Sequence, residues 1–225
     1  MPVKILGISG SPVKGGNTEA LLAEGLKHAE SMGDVSTELI RLVEKRVGDC
    51  RHCNWCLSRQ TEGSFCSLKD DMLEIYPKII DADAILMATP TYGGRLSGYS
   101  AVFIDRWRAL VLGKHYRGVL RNKVGGALTV SWFRNAGPET ALLSIVSAYL
   151  MWGMVVAAPG EGGCQFGAVG VSSDGGSGRF TPEEKLGVLK DKVGLASARA
   201  LAKRTVELAR IIRAGQDLQE GHPAS

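Results

Sequence analysis

Short apolar runs alternating with helix-periodic stretches set the architecture of this chain. Val3–Ile8, Ala84–Pro90, Val124–Val130 and Met154–Ala158 are almost uninterrupted in apolar character, and Val35–Leu42 alternates apolar with polar residues. Between them lie stretches with helical spacing: the run after Asn17-Thr18, a helix opened by Asp70-Asp71-Met72, a helix near Ser97–Leu112, one near Glu139–Trp152, and a last one from about Val193 to Ala214. Near-continuous apolar strands alternating with helices predict a parallel sheet covered on both faces. The predicted fold class is therefore α/β, a doubly wound parallel five-stranded sheet carrying a cysteine-rich loop insertion.

Composition supports a single packed domain over 1–225. Apolar residues make up 44% of the chain and charged residues 22%, enough apolar surface to exclude wholesale disorder. Two segments depart from the pattern. One is the cysteine-rich loop 48–68. The other is 159–182, with eight glycines and no apolar period, expected to be a flexible lid or connection. No apolar stretch reaches the roughly 18 residues of a membrane helix, and MPVKILGIS lacks the marks of a signal peptide. The expectation is a cytoplasmic protein with no membrane partner.

The net charge of +4 is too small to imply a nucleic-acid partner. The charge is nonetheless uneven: Arg106, Arg108, Lys114, Arg117, Arg121 and Lys123 follow one another without an acidic residue. This stretch is a candidate for docking an acidic redox protein, for holding the 2′-phosphate of NADPH, or for plain solvation, with Arg106 open to pairing by Asp105 or another carboxylate. In the last helix Leu201, Leu208, Ile211 and Ile212 form a narrow stripe beside Lys203, Arg204, Arg210 and Arg213, which reads as a surface helix docked on the sheet.

Between the first strand and first helix lies Ser9-Gly-Ser-Pro-Val-Lys-Gly-Gly-Asn-Thr18. Backbone N–H groups and the positive helix end make that position an anion site. It lacks the lysine of a Walker loop, and its glycines do not fit G-x-G-x-x-G, which weakens triphosphate and dinucleotide readings. Ser9, Ser11, Asn17 and Thr18 suit a phosphate monoester, as in FMN bound by a flavodoxin-like fold. Two further loops leave the same sheet edge. Pro90, Thr91, Tyr92, Gly93 and Gly94 follow the third strand; Ser131, Trp132 and Asn135 follow the fourth. Together they form a candidate flavin crevice.

Cysteine usage is the other strong signal. Cys50, Cys53, Cys56 and Cys66 fall within 17 residues, a crowding that suits a metal or cluster better than separate disulfides. The C-x2-C-x2-C triplet can place three thiolates on a 4Fe-4S cubane with Cys66 as fourth ligand. Structural zinc usually takes two separated cysteine pairs, and zinc or unligated thiols remain the alternatives. Cys164 reads as a bystander and His52 as a loop residue within reach of the triplet.

The phosphate loop SGSPVKGGNT, the four cysteines ahead of Lys69-Asp-Asp-Met72, and PTYGG together resemble the iron-sulfur flavoproteins, a branch of the NADPH-dependent FMN reductase-like flavodoxin-fold superfamily. The resemblance covers roughly Val3 to Ala158 and extends to Ile104-Asp105-Arg106, Gly137-Pro138-Glu139-Thr140 and Gly153-Met154. It implies FMN at the three loops, a 4Fe-4S cluster on the cysteines, homo-oligomerisation as dimer or tetramer, and electron traffic with a ferredoxin-like donor. The nine residues between Cys56 and Cys66 exceed the family's compact spacing. The expected function is that of an FMN-dependent oxidoreductase moving electrons between such a donor, the cluster and the flavin. Alternatives are an NAD(P)H-dependent FMN or quinone reductase without a cluster, with NAD(P)H as substrate, and a non-enzymatic flavodoxin-like carrier. The helix Glu139–Trp152, apolar nearly all round, is the expected subunit contact.

Overall fold

The computed structural model describes residues 1–160, 165–179, 183 and 185–221. Strands β1 (Val3–Ser9), β2 (Val35–Arg41), β3 (Ala84–Pro90), β4 (Val124–Ser131) and β5 (Val155–Val156) lie in the order β2-β1-β3-β4-β5, all parallel. The helices are α1 (Asn17–Ser31), α2 (Trp55–Ser58), α3 (Met72–Asp81), α4 (Gly98–Arg106), α5 (Arg108–Val111), α6 (Pro138–Met151) and α7 (Lys192–Gly221).

Alternation along β3 shows why both faces must be covered. Ile85 and Met87 enter a core with α3, α4 and α6, whereas Ala84, Leu86 and Ala88 enter a second core with α1 and α7. All seven β3 residues and all eight of β4 are buried, as central strands of a doubly wound sheet require. From β1 the chain passes to β2 on one side and later to β3 on the other. Strand order therefore reverses between β1 and β3, and the crevice outside their carboxyl ends is where such sheets bind ligands.

Three expectations are corrected. The fifth strand expected at Met154–Ala158 is only two residues long, and the glycine-rich segment is not structureless where it is described. Ala168–Val171 forms β6, paired in parallel with the last four residues of β4, so the edge beside β4 is shared by two short strands. Gly170 explains the misleading composition: a Cβ there would lie 2.6 Å from Val188 Cγ2. Glycine here permits close packing, although in sequence it reads as a loop signal. Cys164 lies outside the described residues. The helix expected over Ser97–Leu112 is broken at Trp107, which is buried and packs edge-on against Phe103.

Helix α6 buries Ala141, Leu142, Ile145, Val146, Ala148 and Tyr149, yet leaves Leu143, Leu150 and Met151 exposed at 44%, 62% and 75%. Among the described residues, no helix is long and apolar enough to cross a membrane.

The cysteine loop is closed at its base by ion pairing. Asp71 accepts from Arg46 N, Asp70 accepts from Gly48 N, and the Arg106 guanidinium donates to both Asp70 and Gly48 O. Burial pushes the Asp70 carboxyl up, but the hydrogen bonds from Arg106 and Gly48 outweigh it and hold the pKa below its ordinary value. Arg106 is 2% exposed, so an unpaired partner would be costly. Asp70→Asn should destabilise the fold by about 3 kcal/mol, the lower end of the range for breaking a buried pair, because Asp70 keeps some exposure. A depressed carboxylate pKa contributes stability above the ordinary Asp range and loses it as pH falls through the folded value. Urea unfolding at pH 7 and in acid checks this: the gap between parent and variant should narrow in acid, and coincident midpoints at pH 7 would refute it.

Candidate functional site

At the carboxyl edge of the sheet, hydrogen bonds knit the three expected loops together. Gly10 N donates to Ala88 O at 2.8 Å, and the Ser97 hydroxyl donates to Gly10 O at 2.6 Å. Ser97 also caps α4 by accepting from Ser100 N, and its own N–H donates to Thr89 Oγ1. Thr91 N donates to Val130 O, while Thr91 Oγ1 and Thr129 Oγ1 share a bond at 2.9 Å. Ser97, Ser100 and Thr129 escaped the sequence reading because lone hydroxyl residues carry no spacing signal.

In the first loop Ser9, Ser11 and Thr18 are buried, with Ser11 Oγ accepting from Val13 N. Gly16 at the start of α1 leaves that helix without a side-chain cap, so its first-turn N–H groups are offered to an external anion. Glu19 accepts from Gly15 N at 2.9 Å and pairs with Arg41 at 2.7 Å. The Arg41 hydrogen bond lowers the Glu19 pKa despite burial. Lys14 pairs with Glu44. Both charges of the loop are thus neutralised, leaving dipoles and hydroxyls to meet a phosphate. Asn17 is placed differently from its neighbours. Its amide donates to Lys185 O at 3.2 Å and its carbonyl accepts from Val188 N at 3.0 Å, so it docks the 185–188 segment on the loop.

The second loop leaves β3 at Pro90 and turns tightly, Tyr92 and Arg95 exchanging both backbone bonds around Gly93 and Gly94. Tyr92 is 51% exposed over the crevice edge. In the third, the Ser131 hydroxyl donates to Phe133 O, and Trp132, Phe133 and Asn135 are exposed. Chain beyond β6 buttresses this loop: Arg134 N donates to Gly176 O, and the Ser173 hydroxyl donates to Trp132 O. The glycine-rich segment thereby supports the crevice wall.

The cysteines form a second site. His52 and Asn54 both adopt positive φ, 50° and 58°, turning the chain between the first two cysteines and α2, which carries Cys56. Cys56 is buried, Cys50 and Cys66 half-buried, Cys53 exposed, and none is in a disulfide. Burial raises the Cys56 pKa, Arg108 opposes this, and Cys66 and Cys50 are near enough to add to the rise. Cys53 is lowered, chiefly by the Ser67 hydroxyl 3.2 Å away. Among the described residues no three His, Cys, Asp or Glu side chains converge as a single metal ion demands. Thiols are the donor type that holds iron-sulfur clusters and structural zinc alike.

Gln60, also missed from sequence, anchors this loop. It is 1% exposed and donates to Phe65 O and Ala109 O while accepting from His115 N and Tyr116 N. Lys114 N adds a bond to Cys56 O. The basic stretch is therefore strapped beside Cys56 and the loop around Gln60, and its two ends turn inward. Arg106 is paired internally with Asp70, and half-buried Lys123 donates to Ile80 O and Ala82 O at the end of α3. Lys114, Arg117 and Arg121 are exposed.

Gly137 gives the crevice a sharp test. It has φ +87°, and a Cβ there would lie 2.5 Å from Gly94 O, so backbone of the second loop touches backbone of the third. Gly137→Ala should cost about 1–3 kcal/mol through overlap and strain, and flavin retained through gel filtration should fall. Unchanged flavin content and thermal stability would show that the loops need not meet.

The sequence matches the NADPH-dependent FMN reductase family over residues 3–166. It is 35% identical over 211 residues to an iron-sulfur flavoprotein of Methanocaldococcus jannaschii, covering 94% of this chain and all of the relative. It is 37% identical over 204 residues to one from Archaeoglobus fulgidus, covering 91% and 96% of the two chains. In fold it resembles RosB, a protein crystallised with a formylated riboflavin phosphate, at TM-score 0.71 and 18% identity over 99% of this chain and 89% of that one. A WrbA-like flavodoxin from Agrobacterium tumefaciens superposes at TM-score 0.59 and 18% identity, covering 94% and 99%. The chain belongs to the iron-sulfur flavoproteins within the NADPH-dependent FMN reductase family, and it is a flavin-dependent oxidoreductase of flavodoxin-like fold.

Proposed function

We propose that this protein is an electron-transfer oxidoreductase holding FMN in the three-loop crevice and a 4Fe-4S cluster on Cys50, Cys53, Cys56 and Cys66. One observation carries the reading: the two sites are bound to opposite ends of a single helix. At the first end of α4, Ser97 holds Gly10 of the phosphate loop; at the last residue, Arg106 holds Asp70 and Gly48 at the base of the cysteine loop. Nine helical residues span about 13 Å. Bound together, the flavin supplies conversion between two-electron and one-electron chemistry, and the cluster a one-electron port.

The residues present fit both groups. The uncapped α1 start, with buried Ser9, Ser11 and Thr18, offers donors to a phosphate monoester, while open space over Gly93 leaves room for a planar ring. Tyr92 and Trp132, exposed on the loops that follow β3 and β4, would orient the ring. Cys50, Cys53, Cys56 and Cys66 would hold the cluster, with Gln60 and Arg106 fixing their loop. Iron, acid-labile sulfide and FMN measured on protein purified without oxygen test the assignment. Each of Cys50, Cys53, Cys56 and Cys66 changed singly to Ala should lose iron yet keep FMN, whereas Cys164→Ala should keep both. Full iron and sulfide in Cys66→Ala would refute the ligand set.

An acidic, ferredoxin-like donor is proposed to dock on Lys114, Arg117 and Arg121, because the strap carrying them lies beside Cys56. Steering of this kind is screened over about 8 Å at physiological salt. Reduction should slow steeply as salt rises, and Lys114→Glu with Arg117→Glu should lower its second-order rate constant without changing flavin content. A second reading is favoured by a cavity of about 540 Å³ beside the third loop, lined by Arg134, Ser173, Asp191 and Lys192 among others. It could seat a phosphorylated nucleotide such as NADPH. A double variant that reacts normally with ferredoxin while NADPH turnover persists would favour this reading.

Leu143, Leu150 and Met151 are proposed as the contact of a homo-oligomer, since two large apolar side chains more than half exposed on one short helix are poorly placed in water. Sedimentation at micromolar concentration should give an oligomer, with Leu150→Glu shifting it toward monomer. A flavin-loaded parent sedimenting as a monomer would exclude the contact.

A further inference from the structure

We propose that Arg108 is a positioning residue that fixes a permanent positive charge against the cysteine site and so raises the reduction potential of the cluster bound there. The inference rests on the cluster reading above. Arg108 opens α5, directly after the buried Trp107. One arm of its guanidinium donates to Asn54 Oδ1 at 2.7 Å, and the other stands 4.0 Å from Cys56 Sγ. Asn54 is itself constrained, held at φ 58° at the start of α2. The fork is thus aimed from two sides: the base of its side chain on a helix packed in the core, and its tip on a residue between two cysteines.

Arg108 differs from Arg106, two residues earlier. The Arg106 charge is neutralised by Asp70. Arg108 pairs with no carboxylate among the described residues, and its partners there are an amide oxygen and a sulfur. Its charge is permanent, since a guanidinium does not deprotonate in proteins. Half-burial limits solvent screening of that charge. Cys56 is the most buried of the four thiols, so it most needs a nearby cation if it is to serve as a thiolate. One-electron reduction adds negative charge to the cluster, and a fixed cation nearby stabilises the reduced state more than the oxidised one. Local charge and hydrogen bonding to sulfur are the means by which proteins set such potentials.

Arg108→Gln and Arg108→Lys, purified without oxygen, test this by iron and sulfide content per FMN and by redox titration of the cluster signal with dithionite. Arg108→Gln should keep iron while the equilibrium constant for one-electron reduction falls about tenfold or more, equivalent to about 59 mV. Arg108→Lys should stay near the parent. Loss of iron from Arg108→Gln but not from Arg108→Lys overturns the proposal, because a cationic side chain would then be needed to hold the cluster rather than to tune it. A loaded Arg108→Gln with the parent's potential overturns it, as does loss of iron from both variants, which would mark a packing role independent of charge. A parent devoid of iron and sulfide overturns the cluster reading itself, and this inference with it.

Discussion

Between Gly48 and Asp70 the chain leaves the sheet and must return to it, and the buried guanidinium of Arg106 holds the two ends together. Taking that charge out of water costs several kcal/mol unless its donors are satisfied. They are met by the Asp70 carboxylate and the Gly48 carbonyl, while the Tyr76 hydroxyl donates to the Arg106 carbonyl. The cost itself favours this arrangement, because a placement of the loop that left Arg106 unpaired would carry the full desolvation penalty. With the base closed, Gln60 and the stacked rings of Phe65, Tyr76 and Tyr116 settle the interior of the loop. The cysteines then occupy a defined place relative to α4, and through α4 relative to the phosphate loop.

The crevice at the other end of α4 obeys a different constraint. Its loops project from three parallel strands, so their spacing is inherited from the sheet, and what remains to be set is how closely they approach. The Ser97 hydroxyl, donating to Gly10 O, draws the first loop in, and the Thr91–Thr129 hydroxyl pair ties the second to β4. The Gly94–Gly137 contact joins the second to the third. Neutralising Glu19 with Arg41 removes a negative charge that would repel a phosphate. What the first loop would offer an anion is dipoles held by a rigid frame, with no free cation required.

The doubly wound sheet, the phosphate loop and the cysteine run were legible in sequence because each is a local pattern. Apolar runs alternate with helical periods, SGSPVKGGNT falls between a strand and a helix, and three cysteines recur at fixed spacing. The residues that join these parts were not legible. Gln60, Ser97, Ser100 and Thr129 are single polar residues whose partners lie elsewhere in the fold, and nothing in their neighbourhood announces a buried amide or hydroxyl. Asn17 has a role that its place in the loop did not announce: its amide also bonds the 185–188 segment, through Lys185 O and Val188 N.

By itself the sequence determined the secondary structure that local periodicity encodes, the order of the strands' supporting helices, and the residue types available at each loop. Tertiary structure alone decided that Arg106 and Lys123 turn inward while Lys114, Arg117 and Arg121 face water, since burial of a charge depends on partners distant in the chain. It also decided that a glycine-rich stretch supplies β6 and buttresses the third loop. Glycine in sequence signals freedom, but at Gly170 the space a side chain would fill is taken by Val188 and Leu21. Only the packed chain shows whether a missing side chain means mobility or close approach, because the neighbours that decide it come from other elements.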